Sequence, residues 1–166
     1  EALGRRFPEA SLAVVVKRRA LDILRGNPFV DDVIVYDAVP SYHSPVWTLR
    51  LARELRGRRF SVSVDLTGDR RSSWMVLAAD PAFRVGVNRV GMGYLLDRRT
   101  PYGAEGHVVD HLLSTVEPLG AQCPDPSPRI YLSEDERSAA AALLTEVSDG
   151  GTRPAVALGP GANRPG

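Results

Sequence analysis

Four short strand-like segments, at residues 11–16, 32–36, 61–66 and 83–87, recur along this chain with helical segments between them. That alternation constrains the fold more than any other feature. The run at 11–16 is continuously apolar after Ser11 instead of alternating, as expected of a parallel strand buried on both faces. Residues 18–25 read as a short helix carrying Leu21 and Leu24, ended by Gly26, Asn27 and Pro28. Residues 44–59 form an amphipathic helix with Ser44 as N-cap and Pro45 at the first position. Trp47, Leu51 and Leu55 share one face of it, while Arg50, Arg53 and Arg56 lie largely away from that face. Residues 71–79 read as a further helix. Strands alternating with helices indicate a doubly wound α/β domain with a mostly parallel sheet.

Beyond residue 88 the pattern loosens. Val90 to Gly93 reads as a flexible connector, and Tyr94 to Asp97 as a short extended segment. Residues 107–119 are helical, and 121–128 form a loop holding three prolines. Ser133 and Glu136 stand at the spacing of a capping box, opening an alanine-rich helix that runs to about Val147. Residues 148–152 are a turn or linker, followed by a strand from Ala155. That strand enters a Gly-rich turn, Gly159 to Gly166, of the kind that precedes a phosphate-binding helix N-terminus. Residues 1–7 read as the tail of a helix without a start signal, so the chain is expected to be a piece of a larger protein.

With 166 residues, 43% of them hydrophobic and 25% charged, there is material for one well-buried core. The longest apolar runs are far too short to span a bilayer, and no signal peptide is visible. The single cysteine, Cys123, excludes an internal disulfide and sits in a Pro-rich loop with no base near it in sequence. A net charge of +1 gives no reason to expect nucleic acid as a partner. Lys17 is the only lysine among 21 basic residues. A GC-rich coding sequence accounts for most of that bias, so position must carry any argument about arginine.

In doubly wound sheets, ligands bind outside the carboxyl ends of the strands. The segment 65–73 leaves a strand and enters a helix there, placing Thr67, Arg70, Arg71 and Ser72 at that edge, with the helix N-terminus adding favourable potential for an anion. The guanidinium forks of Arg70 and Arg71 suit a carboxylate. A capped helix with solvated arginines is the plain alternative. Tyr42 and His43 fall in the loop after residue 36 at the same edge, where sugar contact competes with an ordinary exposed loop. His107 and His111 are four apart, as in metal-binding helices, but no third ligand has matching spacing, so no metal is expected. His111 is read as structural. The Gly91-Met-Gly stretch lacks the third glycine of a nucleotide loop. The arginines of helix 44–59 could rest on an anionic membrane surface, against the commoner reading of a solvated face.

Taken in order, the segments 6–10, 27–34, 60–66, 84–86, 107–110 and 160–163 resemble glycosyltransferase family 9, the bacterial ADP-heptose:lipopolysaccharide heptosyltransferases. None is specific alone; their shared order and approximate spacing carry the resemblance, which covers essentially the whole chain but about half of such an enzyme. It implies a GT-B architecture, in which residues 1–150 are most of a Rossmann-like acceptor domain lacking its first strand. Residues 151–166 would be the linker and the first strand and turn of the nucleotide-sugar domain. The resemblance further implies an ADP-heptose-like donor, a lipopolysaccharide core or lipid A acceptor, no cofactor, and a cytoplasmic location at or near the inner membrane. Gly161, Ala162 and Asn163 would face the donor phosphate, and Thr67, Arg70, Arg71, Ser72, His43 and His107 the acceptor. The family's proposed catalytic base falls upstream of Glu1, so no catalytic residue is assigned here and the 166 residues are expected to be inactive alone.

Two alternatives stay open: a non-catalytic α/β module binding an anionic small molecule through Arg70 and Arg71, and another GT-B enzyme such as a nucleotide-sugar epimerase. If a central strand precedes residue 1, strands 11–16 and 61–66 flank an open position in the sheet, and marginal stability is expected of the isolated piece.

Overall fold

The structure, a computed structural model, describes residues 1–36, 45–101, 107–148 and 156, apart from the side chains of Pro45 and Trp47. Helix α1 spans Ala2–Arg6. Strand β1, Ala13–Val16, pairs in parallel with β2, Asp32–Val35, in the register Ala13 to Asp32 through Val16 to Val35. Between them a 3-10 turn at Arg18–Ala20 leads into the one-turn helix α2, Leu21–Leu24. Helix α3, Pro45–Gly57, follows β2. A second parallel sheet is made of β3 (Val62–Asp65), β4 (Phe83–Asn88) and β5 (Arg98–Pro101), in the order β3-β4-β5. Helix α4, Arg70–Ala79, joins β3 to β4, and α5, Val108–Val116, follows β5. Helix α6, Glu134–Val147, closes the described chain.

The expected break in the sheet lies between residues 11–16 and 61–66: among the described residues β1 and β3 share no ladder, and the strands form two sheets. This explains one departure from expectation. All four residues of β1 are half-buried instead of buried, because only one edge of the strand is covered by a partner. The two sheets are joined by helices. Ile34 of β2, Leu51 and Leu55 of α3, and Met75 and Ala79 of α4 form one buried cluster, with Ala13, Val15, Tyr36, Phe60 and Trp74 against it. On the other face Ala2, Val116 and Ala121 form a second cluster, with Leu3, Val64 and Leu113 against it. Val64 therefore faces α1 and α5, while its neighbours Ser63 and Asp65 point to the opposite face.

Most elements stand where the sequence places them, and one does not. Gly93–Leu95 is a 3-10 turn, and the strand comes four residues after the expected start, at Arg98–Pro101. Its three arginine and threonine residues leave no apolar run to read, because β5 has a mapped partner on one side only and is mostly exposed. Asp97 pins its start: the carboxylate accepts from the Arg84 N–H at 2.8 Å and its own N–H donates to the Arg84 carbonyl at 2.9 Å. Helix α6 is capped as expected, Ser133 Oγ accepting from the Glu136 N–H and the Glu136 carboxylate accepting from the Ser133 N–H at 2.8 Å. None of its residues is buried. The expected N-cap Ser44 and the terminal strand and Gly-rich turn, Val156 excepted, lie outside the described residues.

Candidate functional site

The carboxyl edge of β3 is built by two aspartates. Asp65, 4% exposed, accepts through Oδ1 from the backbone N–H of Thr67 at 3.0 Å and of Gly68 at 2.9 Å, folding the chain sharply out of the strand. Gly68 completes the turn at φ +64, where a β-carbon would lie 2.5 Å from the Val87 carbonyl oxygen. Gly86, opposite Asp65 in the ladder, is equally tight: a β-carbon there would stand 2.8 Å from that of Asp65. Glycines at these two places let strand ends approach that any side chain would separate. Asp69 then caps α4, its Oδ1 accepting from the N–H groups of Arg71 at 2.9 Å and Ser72 at 2.8 Å. The Ser72 hydroxyl returns the bond, accepting from the Asp69 N–H and donating to the Asp69 carbonyl, both at 3.0 Å.

This geometry redistributes the roles expected at the edge. The Asp69 carboxylate occupies the place at the helix N-terminus where an incoming anion would sit, so the α4 dipole is already satisfied by the chain's own cap. Attraction for an external anion rests on side chains. The Ser72 hydroxyl is engaged in the box, whereas Thr67 and Arg70 are exposed. Arg71 is half-buried, with its guanidinium carbon 5.8 Å from the centre of the Tyr36 ring at the end of β2. Stacking uses the face of the guanidinium plane and leaves its N–H groups directed sideways, the arrangement that meets a carboxylate or phosphate through two parallel bonds. The sequence offered no sign of this Tyr36–Arg71 contact, since Tyr36 follows β2 and Arg71 lies in the first turn of α4, far apart in the chain. Asp65 and Asp69 were legible only as members of the segment, not as the groups that shape it.

His107 is the N-cap of α5, its Nδ1 accepting from the Val109 N–H at 3.2 Å. With Nδ1 used as an acceptor, the proton of a neutral ring sits on Nε2, leaving one donor on an exposed ring. Since α5 follows a parallel strand, His107 lies at the same carboxyl edge as α4's start. His111 is half-buried one turn later, and its carbonyl accepts from the hydroxyls of Ser114 and Thr115. Among the described residues no three His, Cys, Asp or Glu side chains converge as a metal site would need. A concavity of about 380 Å³ bounded by Leu113, Glu117 and Cys123 lies at the far end of α5, away from this edge. Tyr42, His43, Gly161, Ala162 and Asn163 lie outside the described residues.

Comparison with known proteins bears on this arrangement. Residues 48–166 match the sequence model of glycosyltransferase family 9 (heptosyltransferase). No curated protein sequence matches. Among solved structures, the chain is similar to a family 9 glycosyl transferase from Veillonella parvula DSM 2008, at 19% identity and a TM-score of 0.73, covering 88% of this chain and 43% of that one. It is also similar to the ADP-heptose lps heptosyltransferase II of E. coli, at 20% identity and a TM-score of 0.61, covering 87% of this chain and 44% of that one. The chain thus spans less than half the length of either structure.

Proposed function

The chain belongs to glycosyltransferase family 9, and from that premise we propose that it is the acceptor-binding part of an enzyme transferring heptose, or a related sugar, from a nucleotide sugar to the lipopolysaccharide inner core. On this reading residues 1 to about 150 form the acceptor domain, and residues 151–166 open the domain that binds an ADP-heptose-like donor. Gly161, Ala162 and Asn163 would contribute backbone to the donor phosphate. The enzyme would work in the cytoplasm, in peripheral contact with the inner membrane that holds lipid A. No helix among the described residues is long and apolar enough to cross a membrane.

In such a transfer the acceptor hydroxyl oxygen bonds to the anomeric carbon of the sugar. The bond from that carbon to the diphosphate breaks, and the hydroxyl proton passes to a base. The described residues are assigned no part in that proton transfer. Their contribution is positioning. Arg71, stacked on Tyr36, and the exposed Arg70 would hold acidic groups of the core sugars; Thr67 and the Nε2 donor of His107 would add hydrogen bonds, joined by His43 from outside the described residues. The single observation that carries this reading is the α4 entry: a turn tied by Asp65 and a cap tied by Asp69, presenting two consecutive arginines at the carboxyl edge.

The test is sugar transfer by the full-length protein to a lipopolysaccharide core acceptor, with Arg70→Ala and Arg71→Ala beside the parent. Each substitution is expected to raise the acceptor KM about tenfold or more, as loss of a charge-assisted hydrogen bond does, with kcat much less changed. Donor KM should stay constant. A folded parent that transfers no sugar from any nucleotide donor would refute the proposal.

A further inference from the structure

Helices α3 and α4 pack side by side, and each begins at the carboxyl edge because each follows a parallel strand. Their inner faces are spent on the core through Leu51, Leu55, Met75 and Ala79. Their outer faces are amphipathic in a way a solvated surface is not. On α3, Val46 (71% exposed), Leu49 (50% exposed), Arg50 and Arg53 fall at i, i+3, i+4 and i+7, one continuous stripe. On α4, Arg70, Trp74 and Leu77 (47% exposed) make the facing stripe. Between the two stripes runs an open groove of about 300 Å³, floored by Leu49, Ala52, Trp74 and Leu77 and edged by Arg53.

The charges of this face are of one sign once ion pairs are counted. Arg50 and Arg53 make no salt bridge among the described residues, whereas the nearby acids are engaged. Glu54 is held by Arg58 at 3.4 Å, and Asp80 by Arg56 at 2.5 Å at the far end of the groove. Apolar side chains standing among uncompensated arginines are the chemistry of a surface that settles into the headgroup layer of an anionic bilayer. Valine and leucine enter the acyl boundary while guanidinium groups stay at phosphate level.

We propose that the outer face of α3 and α4, centred on Val46, Leu49, Arg50, Arg53 and Leu77, is the surface by which this protein docks on an anionic lipid bilayer. The proposal rests on the reading of the chain as acting on a lipid-anchored anionic acceptor, and it extends that reading. The stripes start at the edge that carries Arg70 and Arg71, so a bilayer seated there brings lipid-borne sugars to that edge.

Vesicle sedimentation with the full-length protein, without sugar donor, tests it. The vesicles are phosphatidylcholine alone, and phosphatidylcholine mixed with phosphatidylglycerol. Binding is expected to the mixed vesicles, weakly or not at all to the neutral ones, and to decline as salt is raised. Arg50→Ala with Arg53→Ala should lower partitioning about 25-fold, at about fivefold for each cation near the surface. Leu49→Ser should lower it further. Arg98→Ala with Arg99→Ala, an equal charge loss on β5, should leave it unchanged. All three variants should keep the parent's thermal midpoint and its sugar transfer to a soluble, deacylated acceptor. Absence of binding by the parent, equal binding to both vesicle types, or equal loss in the β5 variant would overturn the proposal; in the first case the face would be left to a protein partner. A parent that binds vesicles through these residues yet transfers no sugar would instead sink the transferase reading alone.

Discussion

At the scale of single residues, the carboxyl edge depends on groups that need not themselves touch a ligand. Gly68 combines a left-handed backbone with a contact that excludes a β-carbon, 2.5 Å from the Val87 carbonyl. A side chain in that conformation costs about 1–2 kcal/mol before the clash is counted. Gly68→Ala is therefore expected to destabilise the protein by about 2 kcal/mol or more, read as a lower urea midpoint. It should also raise acceptor KM, because the turn that aims Arg70 and Arg71 must shift. Gly91, also at positive φ but with open space around its Cα, serves as the internal comparison: Gly91→Ala should show only the conformational part of the loss.

Among the elements, α6 is the clearest case of a helix held by local interactions. None of its residues is buried, and Leu143, Leu144 and Val147 are exposed, so its capping box contributes a large share of its stability. Ser133→Ala is expected to cost about 1 kcal/mol of local helix stability, visible as faster amide exchange across the helix with little change in the midpoint of the core. The box also makes α6 pH-dependent. The Ser133 backbone N–H, and after it the Ser133 hydroxyl, hold the Glu136 carboxyl below the ordinary glutamate range. A carboxyl depressed in the folded state stabilises fully above its unfolded pKa and loses that contribution as pH falls through the folded value. Exchange protection of α6 should therefore be flat near neutrality and decline on acidification below the ordinary glutamate range, and Glu136→Gln should remove most of that decline. An unchanged profile in the glutamine variant would show that other acids govern the helix.

For the molecule as a whole, the division into two sheets has a thermodynamic consequence. Among the described residues, β1 and β2 are tied to β3–β5 through α3 and α4 packing, not through backbone ladders. A two-stranded sheet is marginal by itself. Residues 1–166 in isolation are expected to unfold in a broad transition in which amides of β1 and β2 exchange before those of β4, whose ladder is paired on both sides. A single sharp transition, with coincident exchange of both sheets, would mean that helix packing couples them as strongly as a ladder would.

The sequence by itself determined the elements, because periodicity, capping residues and turn glycines act over a few positions. Leu51 and Leu55 on the inner face of α3, the Ser133–Glu136 box and the start of α5 at His107 were all legible in this way. The position of the break between residues 11–16 and 61–66 came instead from the family resemblance, which implies a preceding central strand in a 3-2-1-4 order. Tertiary structure decided what depends on residues distant in the chain. β5 was invisible because an exposed edge strand needs no apolar pattern, and the short Tyr94 segment proved to be a 3-10 turn. Arg71 became a stacked guanidinium only when β2 brought Tyr36 beneath it. Its neighbour Ser72 was drawn into the cap, and the helix dipole was taken up by Asp69. The groove between α3 and α4 likewise exists only where the two helices meet, because no local pattern in either helix records which of its exposed residues the other will stand beside.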